Sequence, residues 1–183
     1  MIPIMSDFHD RLSLLPFGEV ELEAGSILFK RDDPPRSLFI VDRGMVHLVR
    51  HQLNGSPAVM QRAAAGTILA EASMFADHYH CDAVAVTAAS LRRIDMAKVR
   101  AALAGEPGFA AACAQHMAHE VQRTRMRAEI LAQKGLAARL DAWLSLNTMP
   151  PRGQWSALAD EIGVSREALY RELAARRLPR LTR

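Results

Sequence analysis

Two short stretches hold residues whose types and spacing could do chemistry. The first is Ser165-Arg166-Glu167 with Tyr170 and Arg171. On a helix that begins at Arg166, Leu169 and Leu173 form the inner face, and Arg166, Glu167, Tyr170 and Arg171 point outward. An arginine can donate two hydrogen bonds to guanine O6 and N7, and a glutamate can accept one from the cytosine N4 amino group. The chemistry would be base reading in a DNA major groove. The second stretch is His78-Tyr79-His80-Cys81-Asp82. Imidazole, thiolate and carboxylate are all ligands for transition metals, and an exposed thiolate can be oxidised. On a strand, His78, His80 and Asp82 share one face with Cys81 opposite; in a loop, His80, Cys81 and Asp82 could converge. The alternative is an ordinary loop, with His80 and Asp82 hydrogen-bonded and Cys81 a small buried apolar residue.

The outward residues need a scaffold, and Trp155 to Leu173 supplies one. Leu158 and Ile162 sit four apart on one face, and small Ala159 lets a second helix cross closely. Gly163 suits the positive φ that ends a helix, Val164 fills the corner, and Ser165 is a good N-cap for the next helix. This spacing predicts a helix-turn-helix whose second helix, 166–175, is the reading element. Glu172 stands where an apolar residue is usual, and Leu173 with the stem of Arg176 is expected to cover the gap. The same turn also occurs in three-helix proteins that bind no DNA, so the motif needs its context.

Charge supplies part of that context. Residues 1–100 hold 11 Lys/Arg against 12 Asp/Glu, a net of −1; residues 101–183 hold 12 against 8, a net of +4. After Val164 the cations Arg166, Arg171, Arg176, Arg177, Arg180 and Arg183 face only Glu167 and Glu172. A basic half carrying a helix-turn-helix is the electrostatic footprint of a nucleic-acid binder. A solvated charged helix face is the plainer reading. Two cysteines, Cys81 and Cys113, are too few for a disulfide framework or a four-thiolate iron–sulfur cluster, and free thiols fit a reducing compartment. No apolar run approaches a membrane span, and the first ten residues do not read as a signal peptide, so the cytoplasm is the expected location and no membrane partner is expected.

The pattern along the chain fits an α+β fold. From about Val20 to Asp95, short apolar or alternating segments recur between turn signals such as Ala24-Gly25, Asp32-Asp33-Pro34-Pro35, Asp42-Arg43-Gly44, Asn54-Gly55 and Ala65-Gly66. Many short strands argue for an antiparallel barrel or jelly roll. Helices are expected at 98–104, 109–133 and 137–146, before the helix-turn-helix. In the long one, Met117, Val121, Thr124, Ala128 and Leu131 are spaced by four, three, four and three, a heptad seam. A second copy of the chain is the expected partner for that seam, since paired reading heads match two half-sites; packing against the protein's own barrel is the alternative, and the two can coexist. The expected domains are 1–105 as a β-roll sensor, 106–134 as a dimerisation helix, and 135–183 as a winged-helix-like reading domain with no obvious wing.

This order now meets specific residues. Ala24 to Phe29, Asp32-Asp33-Pro34, Leu38 to Leu48 and Ala65 to Phe75 resemble the cyclic-nucleotide-binding domain of the CRP/FNR regulators. Val164-Ser165-Arg166-Glu167 followed by Arg171 is similar to that family's recognition helix, and the likeness covers about residues 18–178. It implies a dimeric bacterial transcription factor in which an effector in the β domain repositions the DNA-reading heads, with RNA polymerase as a further partner. By matching position, Arg166, Glu167 and Arg171 would contact DNA. The effector pocket would include Glu71, His78, His80, Cys81 and Asp82, but it departs from the family pattern. A Gly-Glu pair for a ribose is replaced by Ala70-Glu71, and an Arg with its hydroxyl neighbour for a phosphate is replaced by Cys81-Asp82. A carboxylate there repels a phosphate, so cAMP is not the expected effector. His47, His51, His78 and His80 are haem ligands in principle, with no pair singled out, and the cofactor stays open.

Three functional classes follow. The first is a sequence-specific, homodimeric, DNA-binding transcriptional regulator with double-stranded DNA as partner. The second is a metal- or redox-responsive signalling module that uses loop 78–82 and has little sequence-specific DNA binding. The third, a hydrolase built on Cys81 and His80, fails because adjacent strand residues point to opposite faces and no oxyanion or cofactor motif accompanies them. No enzyme is expected.

Overall fold

Strand alternation does most of the building in the first half of the chain. The computed structural model describes residues 7–52, 55 and 57–177. The chain divides into two compact units after His116. The first carries β1 (Phe17–Leu22), β2 (Ile27–Phe29), β3 (Ser37–Arg43), β4 (Met45–His51), β5 (Pro57–Ala64), β6 (Ile68–Leu69), β7 (Asp82–Ala85) and β8 (Ala89–Asp95). These pair antiparallel as two four-stranded sheets, β1-β8-β3-β6 and β2-β7-β4-β5. The inner faces meet in one core that includes Phe29, Phe39, Val41, Val46, Leu69, Tyr79, Ala83 and Leu91. This is the expected jelly roll.

The opposite face of the β3–β8 pair is also buried. Leu38, Ile40 and Ile94 lie there at zero exposure, and α2 (Met96–Gly105) packs against both strands. A short helix the residue pattern did not announce, α1 (Asp7–Ser13), buries Phe8 and Leu12 and sets Phe8 edge-on to Phe109 at 5.4 Å. Only two apolar positions four apart mark it, too few to establish a period, and its burial decides the matter. Gly44, between β3 and β4, is fixed by space: at φ +84° any Cβ would run into the Ala88 carbonyl oxygen and come within 2.7 Å of Ala89 Cα. Of the expected Asn54-Gly55 turn, Asn54 lies outside the described residues.

The helices come within a residue or two of their expected ends. The long helix α3 runs from Pro107 to Ala132 and crosses the boundary between the units. The second unit continues with α4 (Leu136–Leu146), a 3-10 turn at Arg152–Gln154, α5 (Trp155–Glu161) and α6 (Arg166–Arg177). Its core joins Ile130, Leu140, Trp143, Trp155, Leu158, Ala159, Ile162, Leu169 and Leu173. Residues 178–183, with Arg180 and Arg183, lie outside the described residues. Among the described residues no helix is long and apolar enough to cross a membrane.

Candidate functional site

The turn between α5 and α6 is closed by backbone chemistry. Ile162 and Gly163 end α5, with the Val164 N–H donating to the Ala159 carbonyl at 2.9 Å and the Gly163 N–H to Asp160 at 3.3 Å. Gly163 takes φ +67°. Such a left-handed residue satisfies the last helical carbonyls and reverses the chain within two residues. Arg139 of α4 locks the corner from below, reaching the Gln133 carbonyl at 3.1 Å and those of Ile162 and Gly163 at 3.4 and 3.3 Å. Ser165 then caps α6, its Oγ accepting from the Ala168 N–H at 3.2 Å.

On α6, Leu169 and Leu173 are buried, while Arg166, Glu167 and Arg171 are exposed. Glu167 is held below the usual carboxylate range by hydrogen bonds from its own backbone N–H and the Ser165 hydroxyl, with Arg166 and Arg171 adding in the same sense. The outer face therefore offers one ionised acceptor between two guanidinium donors. Tyr170 departs from the expected outward position. Its ring is half-buried, edge-on to Trp155 at 5.0 Å, because that indole fills the space beside α6. The Arg166 guanidinium lies 5.4 Å from the Tyr170 ring centre and that of Arg152 6.0 Å, so Tyr170 positions cations as well as packing. Residue type and spacing do not mark Arg152. Its Pro-Pro-Arg-Gly setting reads as linker, and only the folded chain brings it beside α6.

Glu172, the odd residue at an inner position, is half-buried and accepts from Arg176 Nε at 2.9 Å. Arg176 also donates to Asp141 at 2.6 Å and to the Ala137 carbonyl at 3.1 Å, joining α6 to α4. The cover over Glu172 is thus an ion-pair network, in which the charge of Arg176 matters as well as its stem.

Of the heptad positions on α3, Val121, Thr124 and Ala128 are exposed and Met117 is half-buried. Leu131 differs. It is half-buried, and its Cδ2 would lie 2.7 Å from a Cβ placed on Gly163, so it serves the turn of its own unit.

Loop 78–82 is a bend, with β7 starting only at Asp82, so His78, His80 and Asp82 do not share a strand face. Its backbone is pinned instead by reciprocal bonds between Tyr79 and the β2–β3 turn, Asp32 N–H to Tyr79 O at 2.8 Å and Tyr79 N–H to Asp33 O at 2.9 Å. Tyr79 and Cys81 turn inward; His78 and His80 turn out. His78 Nδ1 sits 3.0 Å from the Asp32 carbonyl, and His80 Nδ1 sits 3.5 Å from Ser73 Oγ. Asp82 accepts from the Arg31 N–H at 2.7 Å and stands 3.4 Å from His51. Burial pushes the Cys81 thiol up, Arg50 opposes this, and Asp82 and Glu71 add to it. The side chains therefore serve separate partners. Among the described residues no group of three or more His, Cys, Asp or Glu could hold a metal ion. A cation does stand beside the loop: Arg50 Nε donates to the His80 carbonyl at 3.1 Å. Glu71 opens a 3-10 turn behind Ala70, which keeps the left-handed φ of +73° that a glycine would favour there.

Comparison with known proteins agrees with this architecture. Residues 19–106 match the family model of the cyclic nucleotide-binding domain. FixK2 from Bradyrhizobium japonicum superposes with a TM-score of 0.68 at 16% identity, over 88% of this chain and 84% of that one. The c-di-GMP-responsive global regulator CLP from Xanthomonas campestris gives 0.63 at 18% identity, over 92% and 91%. The catabolite activator protein of Thermus thermophilus gives 0.53 at 21% identity, over 96% and 83%. No curated protein sequence matches. Residues 19–106 are thus similar to a cyclic nucleotide-binding domain, and the chain has the fold of the CRP/FNR-type regulators.

Proposed function

We propose that this chain is a transcriptional regulator that binds double-stranded DNA as a homodimer and reads an inverted repeat through helix 166–175. The observation that carries the proposal is the outer face of α6. A capped helix on a tight turn presents Arg166, Glu167 and Arg171 to solvent while Leu169 and Leu173 anchor it. Those donors and that acceptor suit guanine and cytosine edges. Val121, Thr124 and Ala128 form the exposed part of the seam on which two copies would pair, and Val121 is 45% exposed. The fold it shares with known regulators supports the same reading, with RNA polymerase as the machinery acted on and the cytoplasm as its place. The β-roll would sense something other than cAMP, because Asp82 puts a carboxylate where a cyclic phosphate needs a donor. The chain would perform no catalysis of its own.

Selection from a random duplex pool with the purified protein tests this. An enriched inverted repeat is the expected result. A folded dimer that enriches nothing, at low salt and over a range of protein concentrations, would sink the reading.

A further inference from the structure

Two neighbouring arginines on β8 lie on opposite faces of the sheet. Arg92 turns to the outer side, where Asp42 binds it at 2.9 and 3.0 Å and Ser13 Oγ at 2.8 Å. Arg93 takes the other register, that of Ala89 and Leu91, whose side chains fill the space between the sheets. Its cross-strand neighbours are Gly18 on β1 and Phe39 on β3. The guanidinium lies beside Gly18, where a Cβ would stand in ordinary contact, 3.7 Å from Arg93 Nη2. Among the described residues the guanidinium groups of Arg93 and Arg36 have no hydrogen-bond or ion-pair partner.

Both open onto one cleft of about 550 Å³. Val20, Leu22, Leu28, Phe29 and Tyr79 give it a hydrocarbon wall, beside polar surface from Asp33, Arg36, Ser37 and Arg93. The Phe29 and Tyr79 rings stack at 3.8 Å, and the Tyr79 hydroxyl is spent on the Ser37 carbonyl at 2.8 Å. The rim acid Asp33 accepts from the Lys30 N–H at 3.0 Å. None of Glu71, His78, His80, Cys81 or Asp82 lines this cleft; of loop 78–82 it takes the inward-turned Tyr79 alone.

We propose that the cleft binds a small organic carboxylate with an apolar body. Its volume lies within the roughly 300–1,000 Å³ of small-molecule sites, which are mostly apolar with a few placed polar groups. A hydrocarbon body covers the apolar wall, and a carboxylate fits the planar fork of a guanidinium with two parallel hydrogen bonds. Inorganic phosphate would satisfy the arginines and leave the wall wet. The site does not depend on DNA reading, and its test needs no DNA.

Isothermal titration calorimetry of the full chain with 3-phenylpropionate, 3-phenylpropanol and inorganic phosphate decides the matter. The carboxylate is expected to saturate at one per chain and to bind at least about tenfold more tightly than the alcohol or phosphate. Arg93→Gln should bring the carboxylate down to the level of the alcohol and leave the alcohol unchanged. Arg93 is exposed, and an unaltered thermal midpoint would confirm that the variant folds. The proposal is overturned if 3-phenylpropionate gives no saturable heat at millimolar concentration, if alcohol or phosphate matches it, or if Arg93→Gln keeps the preference.

Discussion

Arg176 Nη1 stands 2.6 Å from Asp141 Oδ1, so the last turn of α6 is tied to α4 by a charged hydrogen bond. The same guanidinium serves Glu172 and the Ala137 carbonyl. Exposed single ion pairs contribute little, but one planar group shared by three acceptors is a network. Arg176→Met keeps the stem and removes the charge, and it should cost about 1 kcal/mol. Both tryptophans, Trp143 and Trp155, lie in the core of this unit, so urea unfolding followed by their fluorescence reads the loss directly. An unchanged midpoint would reduce the network to surface decoration.

The turn itself gives a second expectation. Gly163→Ala must place a methyl group at φ +67° and displace Leu131 Cδ2, 2.7 Å away. Left-handed backbone costs a non-glycine residue about 1–2 kcal/mol, and the Leu131 contact adds to it. Leu131→Ala in the same background should recover the steric part and leave the backbone part, seen as coupling in a double-mutant cycle. Strict additivity of the two substitutions would show that Leu131 has room to move aside.

How much was legible in the sequence follows from the range of each interaction. Ser165 capping Ala168, or Gly163 reversing the chain, are contacts within a few residues, and residue type announces them. Alternation in Met45 to Arg50 likewise marks a strand, because Val46 enters the core and Leu48 packs against it. Asp82 was not legible: its partner is the Arg31 N–H, 51 positions away, so a cluster that reads as a ligand set is a set of separate loop anchors. Arg92 and Arg93 look alike in sequence, and only the register of β8 separates a paired arginine from an unpaired one. Tyr170 has the period of an outward residue, and Trp155 draws it partly inward.

Two glycines with similar backbones separate strain from collision. Gly25 has φ +87° with nothing within 4 Å of a Cβ, whereas Gly44 at φ +84° would drive its Cβ into Ala88 and Ala89. Gly25→Ala should cost about 1–2 kcal/mol, the backbone term alone. Gly44→Ala should cost several kcal/mol more, since the backbone of two strands must part. Circular dichroism melts of the pair make the comparison, and equal losses would show that the β3–β4 corner yields.

The thiols predict a pH dependence. Burial pushes both Cys81 and Cys113 above the ordinary thiol range. In the window between the ordinary value and the raised ones, the unfolded chain binds fewer protons than the folded chain. Stability should therefore fall as pH rises through that window and show no thiol contribution below it. In a Cys113→Ser background, iodoacetamide should alkylate native Cys81 more than about tenfold more slowly than the urea-unfolded chain at pH 8. Equal rates would put an accessible thiolate at Cys81 and restore a redox role to the loop.

Arg171 lies one turn beyond Glu167 on the exposed side of α6, where a guanidinium can reach a base edge. A bidentate contact to guanine should make Arg171→Ala cost about 1–3 kcal/mol on the selected site and relax the preference at one position. A phosphate contact would weaken all sequences alike and lower the salt dependence of binding. Arg152, beside the Tyr170 ring but off α6, is expected to behave in that second way, and Arg166, on the outer face of α6, in the first. Titrating the three alanine variants against the site and its single-base changes, at two salt concentrations, separates the roles. Should Arg171→Ala keep the full preference of the parent protein, the assignment of α6 as the reading helix falls, whatever the affinity does.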